Sequence, residues 1–256
     1  MYSNLEGCLQ TIDITKTFSK KAVVKNISIS VRCGEIIGLL GPNGAGKTTI
    51  FDIMMGTELP DSGKVMLEEH DITYLPIHKR AQRGVGYLPQ ETSIFRGLNV
   101  ENNILTILEL VERNRATRRE RLEILLQEFN LMDIRKQYGD SLSGGQRRRV
   151  EVARAVAGNL RFILMDEPLA NIDPLTKYEI CNLLLQLKKK GLGILISDHN
   201  VREIFGIIDR AYVVFEGTLI KQGAPDEVIE DERVRNVFLG EDFHMIRTMK
   251  RIEGEN

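Results

Sequence analysis

The chain has 256 residues, with 35 basic and 36 acidic side chains and three cysteines. That balance gives no reason to expect non-specific nucleic-acid binding or a polybasic membrane anchor. Cys8, Cys33 and Cys181 lie too far apart for a zinc ribbon, and no apolar run approaches the ~20 residues of a membrane span. Residues 1–7 are polar and lack the apolar core of a secretion signal.

The first third reads as strands with tight turns. Residues 9–14 and 23–31 are rich in Val, Ile and Thr, and 26–31 alternate with period two. A short apolar run, 35–40, leads into Gly41-Pro42-Asn43-Gly44-Ala45-Gly46-Lys47-Thr48, and a helical pattern follows over 47–55. This fits the phosphate-binding loop G-x-x-x-x-G-K-[ST] in its required strand–loop–helix setting. Glycines let backbone N–H groups curl around phosphate oxygens, and the helix N-terminus adds partial positive charge. Lys47 is placed to reach the β- and γ-phosphates, and Thr48 to bind Mg²⁺.

Residues 99–130 carry apolar side chains at helical spacing, predicting two amphipathic helices joined by a charged turn over 112–121. This predicts a small helical subdomain inserted in an α/β core. Leu142-Ser143-Gly144-Gly145-Gln146 then opens a further helix, with Ser143 able to cap it or to donate to a phosphate. The apolar strand 162–165 runs into Asp166 and Glu167, which it delivers to the carboxyl edge of a sheet. There Asp166 is suited to hold Mg²⁺ and Glu167 to polarise an attacking water. Asp173 and Pro174 start another helix as N-cap and first residue. Residues 192–197 and 211–215 predict strands, Glu216-Gly217 a hairpin turn, and 227–230 and 233–239 short helices. Alternating strands and helices imply an α/β fold with a mostly parallel sheet.

Taken in order, Gly41–Thr48, Gln90, 142–146, Asp166-Glu167 and His199 resemble the motifs of ABC transporter ATPases. The resemblance implies a P-loop ATPase core with a mostly parallel sheet, an antiparallel β subdomain and an inserted helical subdomain. It sets the domain at 1–243 and the insertion at about 91–158; the charged tail 244–256 runs past the resemblance and is expected to be mobile. It adds Phe18 as the adenine-stacking aromatic and Thr49 to the nucleotide site. Gln90 would touch Mg²⁺ and the attacking water, and His199 the γ-phosphate. Ser143, Gly144, Gly145 and Gln146 would bind the nucleotide of a second copy, and Asp173 would sit in the loop that crosses the dimer. The implied activity is Mg²⁺-dependent ATP hydrolysis by a homodimer.

Within the family, residues 86–96, 197–203 and 239–243 are similar to the lipopolysaccharide-export branch. That implies two transmembrane partner subunits, received in a groove near Phe95 and Arg96, with the membrane reached only through them. It also implies a place on the cytoplasmic face of a Gram-negative inner membrane. Gly97 stands where that branch carries a second arginine. A branched-chain amino acid importer ATPase shares much of this pattern, and a soluble ABC protein is the more distant alternative. Arg113, Arg115, Arg118, Arg119 and Arg121 interleave with glutamates, and Arg147-Arg148-Arg149 precedes Glu151. Both clusters read as solvated helix faces, not as a nucleic-acid surface. Cys181 sits among apolar helical positions and reads as core.

Overall fold

The computed structural model describes residues 7–170, 172–198 and 201–240. The chain opens with β1 (Cys8–Phe18), β2 (Lys21–Ile27) and β3 (Ser30–Arg32). The run 23–31, expected as one strand, is therefore two. β2 pairs with the far half of β1 and β3 with its near half. Between them β1 changes register, with Asp13 and Asn26 both at positive φ. Ser28 bridges the kink by donating to the Asp13 carboxylate at 2.8 Å.

β4 (Ile36–Leu40) enters the glycine loop, which opens α1 (Lys47–Met55). β5 (Ser62–Leu67), β6 (His70–Asp71), α2 (Ile77–Gln82) and β7 (Val85–Leu88) follow, all without a clear sequence pattern. The helical segment holds α3 (Val100–Val111), α4 (Arg115–Glu128) and α5 (Gly144–Val156). The expected charged turn over 112–121 is shorter than its charge suggested. Asn114 caps α4 by accepting from the Ala116 and Thr117 amides, so the arginine-rich stretch is already helix. Then come β8 (Phe162–Asp166), α6 (Pro174–Lys189), β9 (Gly193–Ser197), α7 (Val201–Phe205), β10 (Arg210–Phe215) and β11 (Thr218–Gly223). The described chain closes with α8 (Pro225–Glu230), α9 (Glu232–Val234) and a wide π turn over Arg235–Leu239.

The strands form two sheets. One is antiparallel, β2-β1-β5-β6, with β3 also on β1. The other runs β11-β10-β4-β9-β8-β7 and is parallel from β10 to β7. Its strands β4, β8 and β9 are fully buried, and their alternating side chains feed two different cores. Ile36, Leu40, Ile163, Met165, Ile194 and Ile196 join Ile104, Leu126, Phe129, Val150 and Leu184 of the helices. Ile37, Leu39, Phe162, Leu164 and Leu195 join α1 and the antiparallel sheet. Each such side chain contributes about 1.5–3 kcal/mol on burial. Among the described residues no helix is long and apolar enough to cross a membrane.

A buried cation closes the far end of α1. Arg80 is fully buried and donates to the carbonyls of Ile53, Met54, Thr73 and Leu75 at 2.6–2.9 Å. Two of those carbonyls belong to the last turn of α1, where few helix amides remain to bond them, the Gly56 amide reaching Ile53 at 3.2 Å. Burial pulls the Arg80 guanidinium down to about 10.

Candidate active site

The glycine loop sits where β4 leaves the sheet. Gly46 caps α1 at φ 108°, and a β-carbon there would lie 2.6 Å from the Val23 carbonyl. Only glycine combines that backbone with that approach. The hairpin turn after β10 braces the loop, since the Gly217 amide donates to the Ala45 carbonyl at 3.0 Å. Lys47 is buried, and its ammonium donates to the carbonyls of Gly41 (2.8 Å) and Pro42 (3.0 Å). Burial holds its pKa below the ordinary lysine value, against the pull of Glu167, Asp166 and Asp198.

Opposite the loop, β8 delivers its two acids. The Thr48 hydroxyl donates to Asp166 Oδ2 at 3.2 Å. Glu167 follows at φ 44°, a left-handed turn unusual for a side chain of this size. The turn brings its carboxylate to Gln90, whose Nε2 donates to Glu167 Oε2 at 2.8 Å. A cavity of about 410 Å³ opens between these groups. Asn43, Gly44, Gly46, Lys47, Thr48, Thr49, Gln90, Asp166 and Glu167 line it together with Val23. Residues from four separate stretches of the sequence therefore meet in one place.

The helix opened by Ser143 is capped reciprocally. Ser143 accepts from the Gln146 amide, and the Gln146 side chain accepts from the Ser143 amide. Ser143 and Gly144 are exposed and lie outside the cavity of their own chain. Asp173 caps α6, accepting from the Thr176 amide and hydroxyl, and those bonds hold its carboxyl below the usual range.

Arg148 is not on a solvated face but is buried. It donates to the carbonyls of Pro168 and Pro89 and to Glu151, each at 3.1 Å. Glu151 accepts from the Ser93 amide at 2.8 Å, and Arg154 donates to the Ser93 hydroxyl at 2.8 Å. One helix face thus holds the loop after Gln90 and the turn after Glu167. The period of α5 contained this signal, because Arg148 and Glu151 share a face with Val152 and Ala155, not with exposed positions.

Other expected residues stand apart. Phe18 ends β1, partly exposed, with the Lys16 ammonium 5.2 Å from its ring centre, and lies outside the cavity lining. Phe95 is 48% exposed, with the Arg154 guanidinium 4.8 Å from its ring centre. The buried Asn103 side chain fixes the backbone there, accepting from the Phe95 amide and donating to its carbonyl. Arg96 and Gly97 are exposed beside it. His199 and the tail 244–256 lie outside the described residues. Cys181 is buried, and burial pushes its thiol up to about 12, in line with a core role.

The ABC transporter family profile matches residues 24–170. A lipopolysaccharide export system ATP-binding protein LptB of Acidithiobacillus ferridurans is 48% identical over 93% of this chain and 98% of its own. The LptB of Escherichia coli K12 is 48% identical over 91% and 97%. A probable ABC transporter ATP-binding protein of Azorhizobium caulinodans is 48% identical over 94% and 85%. Among solved structures, an ATP-binding cassette of an ABC transporter in its ADP conformation superposes with a TM-score of 0.82 at 30% identity. It covers 92% of this chain and 99% of that one.

Proposed function

We propose, from the premise that this chain belongs to the ABC transporter ATPase family, that it binds and hydrolyses ATP between two copies of itself to drive lipopolysaccharide export. The carrying observation is the meeting of Thr48 with Asp166 and of Gln90 with Glu167 across one cavity. A loop built for phosphate, a cation-binding pair and a held carboxylate are what phosphoryl transfer to water requires.

The residues have separate tasks. Lys47 and the amides of 43–49 would bind the β- and γ-phosphates, and Lys47 would leave the Gly41 and Pro42 carbonyls to do so. Thr48 and Asp166 offer a hydroxyl and a buried carboxylate, with no thiol or imidazole among the described lining residues. That donor set fits Mg²⁺, with phosphate oxygens and water completing the shell. Bound there, Mg²⁺ would neutralise charge building on the phosphate oxygens. Glu167 would accept a proton from the attacking water, and Gln90 would hold that carboxylate and the water in line. Phe18, exposed at the mouth of β1, is the surface offered to adenine. His199 would complete the γ-phosphate contacts.

The γ-phosphate needs donors that a single chain does not put in the cavity. Ser143, Gly144 and Gly145 begin a helix that lies outside the cavity lining of their own chain. A second copy placed head to tail would bring that terminus to the phosphate and Asp173 to the crossing. Ser143→Arg is therefore expected to abolish turnover while ATP binding by each chain persists. Loss of ATP binding in that variant would refute the sandwich.

The export assignment rests on near-full-length similarity to LptB proteins. We assign the chain to one ATPase domain, 1–243, carrying a helical insertion near 91–158. It would act on the cytoplasmic face of an inner membrane, reached through two transmembrane subunits docked by Phe95 and Arg96. Purification in mild detergent from native membranes tests this. Co-purifying lipopolysaccharide-export subunits support it, whereas solute-permease subunits would reassign the cargo to import and leave the site unchanged.

A further inference from the structure

Asp166 has two carboxylate oxygens, and only one of them faces Thr48. The other accepts a hydrogen bond from the hydroxyl of Ser197. Ser197 lies directly opposite Asp166 in the parallel register of β8 and β9 and is fully buried. Its backbone carbonyl accepts from the Glu167 amide at 2.9 Å, and its hydroxyl oxygen lies 3.4 Å from that same amide. A single side chain thus reaches both acids at the point where they leave the sheet. Ser197 has no exposed surface, and residues 193–198 are buried along their whole length.

We infer that Ser197 is the positioning residue of the cation site: its hydroxyl fixes the rotation of the Asp166 carboxylate so that Oδ2 stays aimed at Thr48. The inference rests on the reading of Thr48 and Asp166 as Mg²⁺ partners. A carboxylate on a strand end has free rotation about its last bond, and a donor to one oxygen removes that freedom. The hydroxyl has one proton and gives it to Asp166, so its lone pairs remain for the Glu167 amide. The same bond therefore ties the turn at Glu167 to the cation ligand beside it. Without the hydroxyl, Asp166 Oδ1 would be a buried acceptor with no donor, and the carboxylate would turn to find one.

The test is cation affinity without turnover. Mn²⁺ binding to the full chain in the presence of ADP is measured by electron paramagnetic resonance, and nucleotide affinity without metal by fluorescence of a labelled ADP. Ser197→Ala is expected to weaken Mn²⁺ binding about 10–100-fold, as supporting-shell changes do, and to leave metal-free nucleotide affinity unchanged. Ser197→Thr keeps the hydroxyl and is expected to restore Mn²⁺ affinity. Asp166→Asn is the reference. If Asp166→Asn weakens Mn²⁺ binding and Ser197→Ala does not, Ser197 is structural only and the inference falls. If Asp166→Asn itself has no effect, the cation-site reading falls with it. Loss of affinity in both Ser197 variants alike would also overturn the inference, since packing and not the hydroxyl would then be responsible.

Discussion

A β-carbon on Gly145 would lie 2.4 Å from the Thr176 methyl carbon and 2.7 Å from its hydroxyl oxygen. Thr176 is the residue that Asp173 holds at the start of α6. The start of α5 and the start of α6 therefore touch through the one residue whose side chain is a hydrogen. Gly145→Ala is expected to overpack this contact and destabilise the chain by about 1–3 kcal/mol. Thr176→Ser in the same chain removes the offending methyl and should return part of the loss. Chemical denaturation reads both, and an unchanged midpoint for Gly145→Ala would show that the two helix starts do not meet.

Glu167 is held by Gln90 in the cavity beside the glycine loop. Glu167→Gln keeps the shape and removes the carboxylate proposed as the base. Turnover is expected to fall about 10²–10⁴-fold while ATP still binds. Light scattering with ATP and Mg²⁺ should then show a persistent dimer. A monomer with ATP bound would count against hydrolysis as the step that separates the copies.

Phe95 is half exposed and stacked on Arg154, an aromatic paired with a cation next to the Gln90 loop. Phe95→Ala should leave the ATPase activity of the isolated subunit intact and weaken capture of the membrane subunits. A loss of about 2 kcal/mol, or about 30-fold in affinity, is expected for a buried anchor. Unaltered co-purification would move the docking groove elsewhere.

Arg80 satisfies four carbonyls beneath α1. Arg80→Met fills similar space and donates nothing, so unfolding free energy should drop by about 3 kcal/mol or more. Arg83→Met, on the exposed side, should change it by less than about 0.5 kcal/mol. Equal effects at the two positions would mean that the buried cation is not what closes the helix.

The site was largely legible because its motifs are local. Glycine spacing from Gly41 to Gly46, two acids after an apolar run, and a capped helix at Ser143 each announce their chemistry within a few residues. What lay hidden was long range. Nothing near Ser197 in sequence says that it faces Asp166, because that pairing is set by the register of β8 and β9. Arg148 was misread because charge alone suggests solvent, while its partners, Pro89 and Pro168, come from other elements. β5 to β7 were missed because short strands mixing glycine, lysine and histidine carry little period. The split between β2 and β3 was missed because alternation continues across a bulge.

Arg148 has a mechanical consequence. Its guanidinium grips the exit of β7 at Pro89 and the exit of β8 at Pro168 from one turn of α5. Charge-assisted bonds of this kind are worth about 1.5–3 kcal/mol each, so the three pieces are costly to part singly. Any swing of the helices relative to the sheet must pivot about this point or carry both loops along. Placed between the loop after Gln90 and the turn at Glu167, Arg148 is a fulcrum, and how far the helices can turn on the sheet is set by where that grip fails.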